Sequence, residues 1–200
     1  MFDEPVRAGF SRVAGPLVRP LARLGVSPGH LTLLAFLLAV VAAALIGAGR
    51  PRTGLAVWIV SRIGDGLDGV LARHIGRATA FGGYLDITLD MAGYAAMVLG
   101  FAAAHPELSL AWTAVLAGYI LAITTTLALS DAGRGAQRQV SATNRTFQFT
   151  PALTEAGETT VMYALWVLFP AYLVWLVWGW VVALAVTAVQ RTILAARLLR

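Results

Sequence analysis

Four of the chain's ten acidic residues, Asp65, Asp68, Asp86 and Asp90, stand inside runs that are otherwise apolar. An ionised carboxylate at membrane depth costs several kcal/mol unless something compensates it. Asp65 and Asp68 are three residues apart and share one helix face, which Ala72 continues. Gly82, Asp86 and Asp90 are spaced by four and share a face of the next helix. The connection between the two is short, so an antiparallel hairpin would turn both acidic faces toward each other near the connecting end. Four converging carboxylates repel unless cations stand among them. Hard oxygen donors at this density suit Mg2+ or Mn2+, ions that also bind substrate phosphates. Two other readings stay open on geometry alone. Arg62 and Arg73 could pair with the acids as structural salt bridges, or the acids could line a proton or cation pathway.

The elements that must position these acids are helices in lipid. Hydrophobic residues make up 58% of the 200-residue chain and charged residues 12%, about half the roughly 25% usual in soluble domains. Mean hydropathy is +0.75. Such a chain lacks the polar surface to cover itself in water, and its length suits one domain, residues 1–200. The absence of cysteine excludes disulfides and a thiol nucleophile. All fifteen basic residues are arginine, so lysine Schiff-base chemistry is excluded as well. The net charge of +5 is scattered between apolar runs, which fits anionic lipid headgroups and not nucleic acid.

A spanning helix needs roughly 20 mostly apolar residues. Runs of that kind cover about 31–48, 54–73, 81–104 and 108–129, then the stretch from Pro151 to about 169, and about 171–195. The polar stretch Ser130 to Thr150 separates the fourth from the fifth. The expected fold is therefore an all-α integral membrane bundle of six transmembrane helices over residues 28–200. Ahead of it, residues 1–27 form an amphipathic juxtamembrane segment with Val6, Phe10, Val13, Leu17, Leu21 and Leu24 on one face. Pro16 and Pro20 are expected to bend or break it, and its length and arginines set it apart from a secretory signal. Six spans put both termini on one side with Arg7, Arg12, Arg19, Arg23, Arg73, Arg77, Arg134, Arg138, Arg145, Arg197 and Arg200, against Arg50 and Arg52 opposite. That asymmetry places the termini, the second-to-third connection and the 130–150 stretch in the cytoplasm, in a bacterial inner membrane. Trp175, Trp178 and Trp180 are expected as an interfacial aromatic belt, and His30, His74 and His105 as solvated residues at helix ends.

The run Asp65-Gly-Leu-Asp68-Gly69-Val-Leu-Ala72-Arg73, then eight residues, then Gly82-Gly-Tyr-Leu-Asp86-Ile-Thr-Leu-Asp90 resembles the signature of the CDP-alcohol phosphotransferase (CDP-alcohol phosphatidyltransferase) family. That signature reads D-x-x-D-G-x-x-A-R, eight residues, G-x-x-x-D-x-x-x-D, and all eight fixed positions are present. The resemblance implies six spans, a homodimer, and a polar cavity open to the cytoplasm. It implies that Asp65, Asp68 and Asp86 bind metal and that Asp90 contributes to a metal and acts as general base. Gly69 and Ala72 would let the CDP moiety approach, with Asp65 beside it; Arg73 would contact donor phosphate, and Gly82 would keep the facing helix clear. Pro28-Gly29-His30-Leu31-Thr32 keeps the Pro and Thr of a family motif but lacks its Asn, leaving Thr32 as the nucleotide contact. Family members that bind a phosphorylated acceptor through lysine find no counterpart here.

The chemistry expected is two-metal-assisted displacement of CMP, in which paired ions stabilise attacking and leaving oxygens and a carboxylate accepts the alcohol's proton. The donor expected is CDP-diacylglycerol. Arg134 and Arg138 lie four apart, and Arg191 stands among apolar neighbours in the last run. Together they suit a phosphorylated acceptor such as glycerol 3-phosphate or inositol phosphate, with positive-inside topology an equally good reading of the first two. Thr150-Pro151 reads as a helix start, and Glu155 suits its first turns. Glu158 is deeper and faces a hydroxyl-rich or cationic acceptor in this reading. Two alternatives stand beside it: transfer of a CDP-linked small alcohol to a lipid acceptor, and a cation or solute transporter built on the acidic hairpin.

Overall fold

The structure is a computed structural model that describes the backbone of residues 15–76, 78–139 and 156–198, and the side chains of 15–76, 78–132 and 157–198. Among the described residues every regular element is helical. Residues 15–23 form α1, followed by α2 (Pro28–Gly47), α3 (Pro51–His74), α4 (Ala80–Ala104), α5 (Ser109–Gln139), α6 (Ala156–Leu168) and α7 (Leu173–Leu198). Single 3-10 turns at Pro106–Leu108 and Pro170–Tyr172 precede α5 and α7. Four segments, Pro28–Gly47, Ala80–Ala104, Pro106–Ala132 and Pro170–Leu198, are long and apolar enough to cross a bilayer, and the chain is an integral membrane protein. Helix α3 has the length, but Arg62, Asp65 and Asp68 interrupt its apolar run. The thirteen residues of α6 rise only about 20 Å.

Local chemistry explains the helix ends. Ser27 caps α2 by accepting the His30 N–H at 3.3 Å, with Pro28 at the first helical position. Thr79 caps α4 in the same way, accepting the Gly82 N–H at 3.0 Å. The α2–α3 turn runs through Gly49 at φ +75°, a conformation that favours glycine, before Pro51 opens α3.

The chain divides into two compact units, with the boundary in sequence after Ser109. In the first, α2 is the hub, and both α3 and α4 pack mainly against it. Ala35, Ala39, Ala42 and Ala43 are buried along α2. A methyl group on Gly54 of α3 would strike the Ala42 carbonyl oxygen at 2.7 Å, and one on Gly100 of α4 would strike the backbone of Ala43. Small residues thus bring helix backbones into contact, which matters in lipid because apolar burial alone supplies little drive for helices to associate. The sequence suggests α3 and α4 packed face to face as a hairpin. Instead each leans on α2, and the gap between their facing sides is where the charged groups gather.

Three other local expectations can be set beside the described residues. Residues 15–23 are helical through Pro16 and Pro20. Among the described members of the apolar face of residues 1–27, Leu17 and Leu24 are exposed, and the residue buried in this helix is Val18; Val6, Phe10 and Val13 lie outside the described residues. In the second unit, Trp180 is a core residue and not part of a belt: its indole N–H donates to Tyr119 Oη at 3.2 Å, and that hydroxyl lies 3.0 Å from Tyr163 Oη. Trp175, at 79% exposed, does face outward.

Candidate active site

The acidic positions gather where α3 and α4 flank α2. Asp65 and Asp68 sit one turn apart on α3, and Asp86 lies in the second turn of α4. One carboxylate oxygen from each of these three lies within 4.8 Å of the others. Like charges this close repel, and three oxygen donors converging from two helices could hold a divalent ion of the Mg2+ or Mn2+ type. Asp68 is the buried member, 5% exposed, and accepts a hydrogen bond from the Thr32 hydroxyl of α2. Thr32 Oγ1 also lies 3.1 Å from the Pro28 carbonyl oxygen, so the first turn of α2 orients the carboxylate. Thr32 therefore belongs to the site through Asp68.

Asp90 stands apart from this trio. One turn deeper on α4, it accepts a charge-assisted hydrogen bond from Arg62 Nη1 of α3. The same nitrogen lies 3.6 Å from Asp65 Oδ2. Arg62 Nη2 donates to Ser61 Oγ at 3.2 Å, and Ser61 Oγ–H donates to the Ala35 carbonyl oxygen at 2.7 Å. The guanidinium carbon sits 4.5 Å from the Trp58 ring centroid and 5.5 Å from that of Tyr94. A carboxylate trio and an ion pair thus stand side by side. The salt-bridge reading therefore holds for Arg62, paired with Asp90 and near Asp65; its aromatic and serine partners, Trp58, Tyr94 and Ser61, carry no signal in the sequence beyond helical spacing.

The positions expected at the donor lie along the same opening. A Cβ added to Gly69 would meet only the end of the Arg73 side chain, at 3.5 Å, so the face beside Asp68 is open. Ala72 is half-buried and Arg73 exposed at the end of α3. Gly82 lies against the Thr79 cap: a Cβ there would stand 3.2 Å from the Thr79 hydroxyl.

The acceptor candidates belong to the second unit. Glu158 is half-buried in the first turn of α6. Arg191 Nη1 donates to the Ala122 carbonyl oxygen at 2.7 Å, bracing α7 against α5. The side chains of Arg134 and Arg138 lie outside the described residues, as does Glu155.

A polytopic membrane protein with a carboxylate trio beside an open glycine face has the makings of a metal-assisted phosphoryl-group transferase. Residues 26–193 match the CDP-alcohol phosphatidyltransferase family, and the chain belongs to it. It is 33% identical over 178 residues to inner membrane protein YnjF of Escherichia coli, covering 86% of this chain and 84% of that protein. Over 116 residues it is 37% identical to phosphatidylinositol phosphate synthase of Cutibacterium acnes, covering 56% of each. Over 102 residues it is 36% identical to archaetidylinositol phosphate synthase of Methanothermobacter thermautotrophicus, covering 50% of this chain and 52% of that protein. The chain thus spans about half the length of these two synthases. Its fold resembles that of Mycobacterium tuberculosis phosphatidylinositol phosphate synthase (PgsA1) in complex with manganese and citrate, with a TM-score of 0.74 at 23% identity over 91% of this chain and 88% of that one. The same enzyme with CDP-DAG bound superposes with a TM-score of 0.68 at 24% identity, over 92% of this chain and 94% of that one.

Proposed function

We propose that the chain moves a phosphatidyl group from CDP-diacylglycerol to a polar, phosphorylated alcohol of the inositol phosphate or glycerol 3-phosphate type, releasing CMP. The observation that carries this reading is the trio of Asp65, Asp68 and Asp86, with the open Gly69 face beside it. Two of the relatives named above are inositol phosphate-type synthases, and one likeness in fold is to an enzyme with CDP-DAG bound. Asp65, Asp68, Asp86 and Asp90 would together hold two divalent ions. Metal held there supplies charge stabilisation to phosphate oxygens and to the leaving CMP. Asp65, Thr32, Gly69, Ala72, Arg73 and Gly82 receive the donor: Thr32 through its bond to Asp68, the small residues by leaving room, Arg73 by pairing with phosphate. The acceptor hydroxyl attacks the lipid-side phosphorus, the bond from that phosphorus to the bridging oxygen breaks, and CMP leaves with the bridging oxygen. The hydroxyl proton passes to Asp90.

Arg134, Arg138 and Arg191 bind the acceptor's phosphate in this reading, and Glu158 a hydroxyl. Helices α3 and α6 complete six spans in a single domain over residues 1–200, with residues 1–27 as an amphipathic segment in the interface. The arginine asymmetry puts both termini and the site on the cytoplasmic side of a bacterial inner membrane. A homodimer is the expected assembly.

The test supplies purified protein in lipid with CDP-diacylglycerol, Mn2+ or Mg2+, and a panel of alcohols, and follows CMP. Release stimulated by one phosphorylated alcohol supports the reading and names the acceptor. Release only from CDP-linked small alcohols with diacylglycerol would reverse the donor assignment. No release from either pairing, by folded protein that binds Mn2+, would end it.

A further inference from the structure

Helix α1 is joined to the site without slack. Its last turn closes with the Val26 N–H on the Leu21 carbonyl oxygen at 3.1 Å and the Gly25 N–H on that of Ala22 at 3.2 Å, with Gly25 at φ +71°. This pairing, with glycine in the left-handed region, ends a helix in a fixed reversal. The very next residue, Ser27, caps α2, and Pro28 opens it. One turn on, Thr32 bonds to Asp68 and lies 3.1 Å from the Pro28 carbonyl oxygen. A tilt of α1 is therefore carried into the turn that orients the buried carboxylate. A simple anchor would be served as well by a flexible join.

At about 100° per residue, α1 presents three faces. Val18 is 1% exposed, with Leu21 and Ala22 half-buried beside it, so the first face lies against the protein. Leu17 and Leu24, both exposed, stand on the second. Arg19 and Arg23, one turn apart and both exposed, form the third. Among the described residues no carboxylate pairs with either arginine. Leucines beside arginines at the end of a spanning helix match the boundary between acyl chains and headgroups, and the arginines suit negatively charged headgroups.

We propose that α1 senses anionic lipid: Arg19 and Arg23 seat it on a negatively charged headgroup layer, and the rigid join passes that seating to the turn of α2 that orients Asp68. Its effect on turnover rests on the transfer reading above; the seating itself does not. Each arginine at an anionic surface is worth about fivefold in binding, so losing both removes most of the response.

The experiment places the full-length protein in nanodiscs of phosphatidylcholine, with or without phosphatidylglycerol, at one low fraction of CDP-diacylglycerol. The chain has no cysteine, so Leu17→Cys gives a single point for a fluorophore, and quenching by lipid-borne nitroxides reports how α1 is seated. Phosphatidylglycerol is expected to shift the seating equilibrium by about tenfold and to raise CMP release by about fivefold. Arg19→Gln with Arg23→Gln is expected to match the parent within about twofold in phosphatidylcholine and to lose both responses. Equal quenching in the two lipids would overturn the proposal. So would parental stimulation in the double variant, or seating that shifts while CMP release does not. If the parent releases no CMP in either lipid, the transfer reading fails, and amide hydrogen exchange over residues 28–32 decides the coupling. Exchange slowed by phosphatidylglycerol in the parent and not in the variant supports it; equal exchange ends it.

Discussion

Helices are held together differently in the two units of the chain. Around α2, contact is made by alanines and glycines: Gly54 and Gly100 let backbones touch, and Ala35, Ala39, Ala42 and Ala43 line the shared face. In the unit after Ser109, contact is made by large side chains with polar tips. Trp112 meets Trp166 edge-on at 5.3 Å, Tyr163 packs against Trp166 at 5.2 Å, and Tyr119, Tyr163 and Trp180 join their polar atoms. The first arrangement fixes helix axes through backbone contact and leaves room between α3 and α4 for charges. The second fills its interior with rings, and one of its arginines, Arg191, is bonded to the Ala122 carbonyl oxygen. The carboxylates belong to the first unit, where α2 both packs against α3 through small residues and reaches Asp68 through Thr32.

That contrast can be broken or sharpened by substitution, taken here from the largest effect to the smallest. Asp86→Asn removes one of three converging donors, and CMP release is expected to fall by about a thousandfold or more while folding is retained. Gly100→Val drives a side chain into the Ala43 backbone. It should cost about 3 kcal/mol or more, seen as loss of folded protein in a thermal aggregation assay. Gly69→Ala meets only the flexible end of Arg73, so stability should hold; donor KM should rise by roughly tenfold if the CDP moiety lies against that face. Tyr119→Phe removes one hydroxyl from the aromatic network and should cost about 1 kcal/mol by unfolding in mixed detergent, with CMP release little changed. Should Tyr119→Phe abolish transfer while Gly100→Val leaves the fold intact, the division of labour between the units would be wrong.

Much of the site is legible in sequence because lipid makes polar residues conspicuous. Four aspartates in apolar runs demand compensation, and spacings of three and four put them on helix faces. Helix bounds are legible only to within a few residues: apolar runs beginning near 31 and 81 correspond to helices that start at Pro28 and Ala80, where Ser27 and Thr79 cap them. What escapes is tertiary. Periodicity does not say which helix α3 and α4 lean on, and it cannot separate Asp90 from Asp86, since both share one face of α4. The division comes from Arg62, whose partner is chosen by the gap across α2. Trp180 escapes similarly: three nearby tryptophans near a helix start look like an interfacial belt until a buried tyrosine is found beside one of them.

The central claim is that the carboxylate trio of the first unit carries out transfer from a CDP-linked lipid. Its most direct test is CMP release from CDP-diacylglycerol in liposomes as Mn2+ is raised, comparing the parent chain with Asp68→Ala. The account predicts release that depends on Mn2+ in the parent and is lost in the variant, with both proteins folded. Equal release from both, or release that ignores the metal, would contradict it.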